Sequence, residues 1–343
     1  MKLIKPNVEI IEQQPELEGM YKQIELAGRT CYKSEDKITE DSAKAFVDRM
    51  INSQHFAMLE HGTVYLAITA TSPKVRKYEM NPYSRVKKIS VDGINGRAYI
   101  TTNYRVLVEN KWLNDLQYIC EPTEYHEKRI TVKWTLDRVT GESFLRHRVF
   151  SFARESTRYC NYNKDKFGNE ITFVIPTWID ESEESLNSEF RDTDKDDVSV
   201  FIRALKSSEE EYFTLLNNGW KPQQARQVLM FSVHSPLVMT GFESDWKHFF
   251  SLRSPKYGAT GVHPDAAYLA DMLYDKLYVE KDVNFTLMFC EAFDGNSKLL
   301  KDGDMITYHT TYDKNKEFQK KKEEEFKINL FTLEGEYLIK QII

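Results

Sequence analysis

Cysteine is scarce in this chain. Its four cysteines, Cys31, Cys120, Cys160 and Cys290, are widely spaced and form no CxxC pair. That spacing excludes a zinc-finger or disulfide-scaffold protein and favours a reduced, cytoplasmic setting. No run of about eighteen apolar residues occurs, so neither a membrane span nor a membrane partner is expected. The opening MKLIKPNVEIIEQQPE is broken early by Pro and Glu, and no signal peptide is expected. No G-x-G-x-x-G follows a strand and no Walker loop is present, which removes the Rossmann and P-loop sites. No H-x3-H or HExxH links the histidines, so no metal is expected and His61, His126, His234, His263 and His309 read as structural. Nor is there a basic surplus. The formal net charge is -6, against a nucleic-acid partner.

What is present is ample core material, with 41% hydrophobic and 13% aromatic residues in a chain of 343. Apolar spacing predicts a strand over Lys2–Ile11, helices over Pro15–Ala27 and Asp41–Ser53, and a strand over Thr63–Thr71. GRTCYKSED between the helices is rich in turn and capping residues, and His55–His61 reads as a loop. Residues 72–125 read as a separate excursion, with hairpin signals in VDGINGRAYITT and a helix near Asn110–Tyr118. A strand over Arg129–Asp137 and a helix over Gly141–Ser151 follow. The acidic stretch Asn161–Asp197 reads as a solvated insertion. Further helices are expected over Val198–Asn218, Pro222–Phe231, Ser244–Leu252 and His263–Val279. KEFQKKKEEEFK, beyond Lys314, alternates in sign and reads as a solvated helix or mobile segment rather than a nucleic-acid tail. Helices and strands mix without strict alternation, which predicts an α+β fold. The expected organisation is one domain over 1–300, carrying an insertion at 72–125, and a charged extension over 301–343.

The segment richest in chemistry is Phe144–Tyr159, FLRHRVFSFARESTRY. Arg146, Arg148, Arg154 and Arg158 lie within it, with His147 between the first two and hydroxyls at Ser151, Ser156 and Thr157. Arginine offers a rigid fork of donors that matches phosphate oxygens, and hydroxyls and turn amides complete such cradles. So dense a cluster repels itself unless anions neutralise it. A phosphorylated ligand is one answer, and structural pairing with the chain's own acids is the other.

Arg146-His147-Arg148, seven residues, then Ser156 resembles the R-H-R-x7-S signature of flavin-dependent thymidylate synthases, as does the S-T-R-Y continuation to Tyr159. His55 with Glu60-His61 is similar to the family's H-x4-E-H element. Ala27–Tyr32, Gln224–Leu229 and Trp246–Arg253 resemble further family segments. The resemblance covers roughly residues 20–70 and 129–280. It implies a central antiparallel sheet with mixed helices, the 72–125 hairpin being extra. It also implies methylation of dUMP to dTMP, with FAD as cofactor, methylenetetrahydrofolate as carbon donor and NADPH as reductant, in a homotetramer with shared sites. By residue, it places Ser143, Arg146, Glu155, Ser156, Thr157 and Arg158 at the phosphate and sugar of dUMP. It places Arg226 and Arg253 at the pyrimidine, with Arg253 catalytic in favouring ionisation of the base. It assigns His55, Ala57, Glu60, Arg146, His147, Arg148, Arg154 and His248 to FAD. Ala57 stands where the family commonly has Ser or Thr, and Phe242 and Ser244 where it has an Asn-x-Arg pair. No enzyme nucleophile is implied, and Cys160 reads as a small buried hydrophobe. The alternative is a catalytically degenerate homologue that binds a nucleotide or RNA.

Overall fold

The computed structural model describes residues 1–90, 96–158, 160, 162, 169–188 and 196–279. The C-terminal charged extension, Tyr159 and the tip of the 85–103 hairpin lie outside the described residues. The chain divides into two compact units. Among the described residues, one comprises Met1–Phe249 with His263–Leu269, the other Phe250–Val262 with Ala270–Val279.

In the first unit, the expected N-terminal strand is split into β1 (Lys2–Ile4) and β2 (Asn7–Ile11). Pro6 lies between them and has no N–H for a ladder, so the chain changes sheets there. Helix α1 (Glu16–Tyr32) buries Met20, Ile24 and Ala27 and runs five residues past the expected end at Ala27. Glu25 pairs with Arg29 one turn on. Gly28 is required where it is, because a Cβ there would sit 2.4 Å from Cζ of Phe46. The helix closes with Lys33 in the left-handed region (φ 44°), where the N–H groups of Ser34 and Lys33 bond the carbonyls of Arg29 and Thr30, a Schellman closure that glycine usually provides. Helix α2 (Ser42–Asn52) lays Ala43, Phe46, Val47 and Met50 inward. His55–His61, expected as a loop, forms a 3-10 turn over Phe56–His61.

The segment 72–125 is not a separate excursion. It follows β3 (Thr63–Thr69) with α3 (Pro73–Glu79), β4 (Arg85–Ser90), β5 (Gly96–Asn103) and α4 (Tyr104–Glu109). β5 pairs with β3 from Thr63↔Asn103 to Thr69↔Arg97, and with β4 on its other edge. Val75, Tyr78, Ala98, Ile100 and Leu107 share one core with Met20, Ile24, Phe46 and Leu59. Within this segment the buried Asp115 accepts the Tyr78 hydroxyl (2.8 Å) and pairs with Lys74 (3.3 Å) and Lys77.

The central sheet has the order β2-β6-β9-β7, with β6 (Arg129–Thr135), β7 (Ser151–Arg154) and β9 (Leu237–Phe242), and every pairing in it is antiparallel. Between these strands come α5 (Arg138–Phe144), β8 (Thr172–Val174), α6 (Glu183–Ser188), α7 (Asp197–Asn217) and α8 (Pro222–Ala225). The fold is α+β. β8 pairs in parallel with β1. Ile171, Phe173 and Ile175 are buried with Leu205 and Tyr212 of α7, so the described part of the supposed acidic insertion carries core. The helix expected over Pro222–Phe231 shrinks to α8 and a 3-10 turn over Arg226–Val228. The Ser208 hydroxyl donates to the Val228 carbonyl (2.8 Å) and accepts from the Met230 N–H (3.2 Å), supplying the bonds a longer helix would have made. Helix α9 (Glu243–Arg253) follows β9 directly, and α10 (Pro264–Tyr274) comes next. In the second unit Phe250 packs edge-on against Tyr274 at 5.4 Å, and Lys256 pairs with Asp275. No described helix is long and apolar enough to cross a membrane.

Burial pushes two imidazoles down to about 3: His61, with Arg129 nearby, and His234, with Lys33, Lys133 and Lys2 nearby. Their folded values lie below the unfolded value of about 6.5. Their contribution to stability is therefore complete above that value and is lost as pH falls toward 3. Each is expected to add about 1.4 kcal/mol per pH unit to the loss over most of that window. Urea unfolding between pH 7 and 4 should show His234→Gln with the shallower slope. Equal slopes for variant and parent would remove His234 from this account.

Candidate functional site

The R-H-R triplet does not ride on a helix. The expected helix over Gly141–Ser151 is α5, which starts where the Asp137 carboxylate accepts the Thr140 N–H (2.8 Å) and ends at Phe144. Residues 151–154 are claimed by pairing with β9, so the chain must turn between Phe144 and Ser151. It does so through His147 N–H to the Phe144 carbonyl, Arg148 N–H to that of Arg146, and Phe150 N–H to that of His147. His147 is buried against Phe249 (4.9 Å between centroids). Phe150 packs on Trp246 (4.6 Å) and over Gly241, where any Cβ would lie 2.3 Å from its ring. This aromatic floor fixes the turn. Above it Arg146 and Arg148 are exposed, and neither guanidinium has an ion-pair partner among the described residues.

β7 carries the chain about 13 Å at roughly 3.3 Å per residue to the second cluster. There the Glu155 N–H donates to the Pro236 carbonyl and the Ser156 N–H to that of Cys31, both at 3.0 Å. Arg226 donates to the Thr157 hydroxyl (3.1 Å), and Arg158 to Gln223 (3.2 Å). Thus four of the nominated residues, Ser156, Thr157, Arg158 and Arg226, meet where α1, the end of β7 and α8 converge. The buried Glu155 accepts the Tyr162 hydroxyl and faces Lys33 Nζ at 4.0 Å, which also lies 4.6 Å over the Tyr162 ring. Burial raises the Glu155 carboxyl above its ordinary value, against the pull of Lys33 and the Tyr162 hydroxyl. Sequence reasoning missed Lys33 and Tyr162. The available signal was a lysine one place beyond Tyr32, at a helix end that the spacing had put five residues early.

The remaining nominated residues are more dispersed. Arg154 is committed to structure, with Nε on Ser235 (2.7 Å), one amino group on Glu142 (2.8 Å) and the other on the Arg138 carbonyl (2.9 Å). Ser143 donates to the Thr140 carbonyl (2.7 Å). His55 and Ala57 are exposed at the 3-10 turn, and His55 Nδ1 meets the Tyr32 hydroxyl at 3.2 Å. Glu60 is held by Arg105 (2.5 Å). His248 is exposed on α9, and the half-buried Arg253 ends that helix within the second unit.

A family model described as thymidylate synthase complementing protein matches residues 122–278. The chain is 24% identical to a flavin-dependent thymidylate synthase of Corynebacterium aurimucosum over 258 residues, 74% of this chain and 75% of that protein. It is 31% identical to one of Pyrococcus abyssi over 116 residues, 34% of this chain and 42% of that protein. A crystal structure of a UMP/dUMP methylase from Streptomyces cacaoi bound with 5-Br dUMP is similar at 19% identity. It covers 81% of this chain and 93% of that one with a TM-score of 0.36.

Proposed function

We propose that this chain is a member of the flavin-dependent thymidylate synthases it resembles, and that it methylates dUMP to dTMP, with FAD bound, methylenetetrahydrofolate as carbon donor and NADPH as reductant. The observation that carries this reading is the pairing of two clusters across β7. Arg146 and Arg148, exposed and without an ion-pair partner among the described residues, stand at one end, and Ser156, Thr157 and Arg158, with Thr157 tied to Arg226, at the other. In this reading Ser156, Thr157 and Arg158 hold the nucleotide's phosphate and sugar, with Ser143, Arg146 and Glu155. Arg226 and Arg253 hold the pyrimidine, where a guanidinium stabilises negative charge developing on the ring.

The residues present fit FAD in chemistry. Two solvent-facing guanidinium groups without acid partners among the described residues suit an anionic dinucleotide, and His147 is fixed by aromatic packing between them. His55, Ala57, Glu60 and His248 would complete the flavin contacts. Bound there, the flavin would supply hydride for the methyl group, and the protein's part is to position, polarise and exclude water. The three described cysteines are ill suited to attack uracil. Burial raises the thiols of Cys31 and Cys120 above their ordinary value, and Cys160 is fully buried. A thiolate is the reactive form, so a route without a cysteine nucleophile suits these residues. Association as a homotetramer and a cytoplasmic site of action belong to the same proposal.

An anaerobic assay with FAD, NADPH, methylenetetrahydrofolate and dUMP is expected to give dTMP only when all four are present. Tight dUMP binding without product would favour the degenerate nucleotide-binding reading. Equal affinity for deoxyuridine and dUMP would remove the phosphate roles of Ser156 and Arg158.

A further inference from the structure

Arg129 opens β6 with its guanidinium buried beneath the 3-10 turn and β7. It donates to the Glu60 carbonyl (2.9 Å), the Thr63 hydroxyl (3.4 Å) and the Ser151 hydroxyl (3.3 Å). All three are neutral acceptors. Its Nε is shut off from solvent and has no hydrogen-bond partner among the described residues, and no described carboxylate forms an ion pair with it. The acids that face it are committed elsewhere. Glu60 pairs with Arg105, while Asp245 pairs with Arg85 at 3.8 Å. Arg85 is itself a second guanidinium beside the first. The two lie over the same Phe242 ring, at 4.3 Å for Arg85 and 5.5 Å for Arg129. Burial pushes the Arg129 guanidinium down to about 10, even though Tyr65, Glu60 and Asp245 pull the other way.

A buried charge without a counter-charge is costly, and the surroundings are rich in donors. The Tyr65 hydroxyl accepts the Arg129 backbone N–H (3.4 Å), and the Ser151 hydroxyl accepts from the side chain, so each retains a proton to give. Ser151 lies three residues beyond Arg148, at the foot of the R-H-R turn. We propose that Arg129, with the hydroxyls of Tyr65 and Ser151 and with Arg85 at its rim, is a binding site for a phosphate group of a bound nucleotide. The proposal rests on the nucleotide-binding reading above. It adds residues that neither the R-H-R motif nor the Ser156–Arg158 cluster contains. The two phosphates in question are the diphosphate of FAD and the monophosphate of dUMP.

The test compares full-length protein with Arg129→Gln and Tyr65→Phe by equilibrium binding of FAD against riboflavin and of dUMP against deoxyuridine. Arg129→Gln should lose at least tenfold in affinity for one phosphorylated ligand, and Tyr65→Phe a few-fold. The unphosphorylated partner of that ligand should bind as before. Whichever pair loses its discrimination identifies the phosphate. Unchanged discrimination for both pairs in both variants overturns the proposal. Should Arg129→Gln fail to fold, Tyr65→Phe decides alone, since it removes one oxygen and no packing. If the parent binds no nucleotide at all, the functional reading fails by itself. Inorganic pyrophosphate is then the probe: thermal stabilisation of the parent that Tyr65→Phe loses upholds the anion site, and no stabilisation overturns it.

Discussion

Arg158→Ala is expected to lower kcat/KM for dTMP formation by about 10²–10³-fold, the scale seen when one preorganised donor is removed from an active site, while the fold stays intact. Arg158 is exposed and its Nε donates to Gln223, a neutral residue that also lies at the surface, so losing it should cost little stability. The loss should appear with dUMP and be much smaller for deoxyuridine binding, because the guanidinium is assigned to the phosphate. Arg253→Ala should reduce turnover comparably with a smaller effect on phosphate discrimination, since its assigned partner is the base. Wild-type turnover in either variant, measured as radiolabelled dTMP at saturating FAD, would remove that residue's role.

Asp115→Ala is expected to be among the most destabilising single changes outside the site. Burial alone would raise this carboxyl, but Lys77, Tyr78 and Lys74 hold it below its ordinary value. The carboxylate is 2% exposed and is the common acceptor for three donors. Removing it leaves the Tyr78 hydroxyl buried without an acceptor, and two lysines without their acid. Breaking a buried pair costs about 3–5 kcal/mol. Lys74 and Lys77 keep some solvent, so the lower end applies, a fall of roughly 6–12 °C in Tm. Its folded pKa is depressed, so its stabilisation is present above the unfolded value of about 3.9 and is lost as pH falls through the folded value. Asp115→Asn should accordingly lose stability at pH 7 and show less further loss on acidification. A Tm within 2 °C of the parent for Asp115→Ala would show that the cluster is ornamental to the fold.

The readable part of the fold was local. Helices α1, α2, α7, α9 and α10 were legible because each presents apolar residues at helical spacing, and β6 because its pattern is strand-like between charged flanks. Three features misled. The Lys33 closure of α1 uses a lysine where glycine is the usual signal, so the helix was ended too early. The R-H-R segment has helix-forming residues, yet β9 claims its continuation as a strand, and pairing between segments more than eighty residues apart leaves no local mark. The hairpin signals of 72–125 read as a separate excursion, but β5 lies between β3 and β4, and one of its faces is core.

The same division runs through the candidate site. The sequence by itself determined which groups are on offer: the R-H-R-x7-S spacing, the hydroxyls before Arg158 and the absence of any metal-ligand or dinucleotide-fold motif follow from residue order alone. Only the tertiary structure decided which of those residues remain available. It spends Arg154 on Ser235, Glu142 and the Arg138 carbonyl, leaves Arg146 and Arg148 facing solvent, joins Arg226 to Thr157 across 69 positions, and buries Arg129 among neutral acceptors. The physical reason is that a guanidinium's role depends on which acceptors surround it and on how much water it keeps. Both are set by packing between elements distant in the chain, whereas a motif records only the order in which donors are supplied.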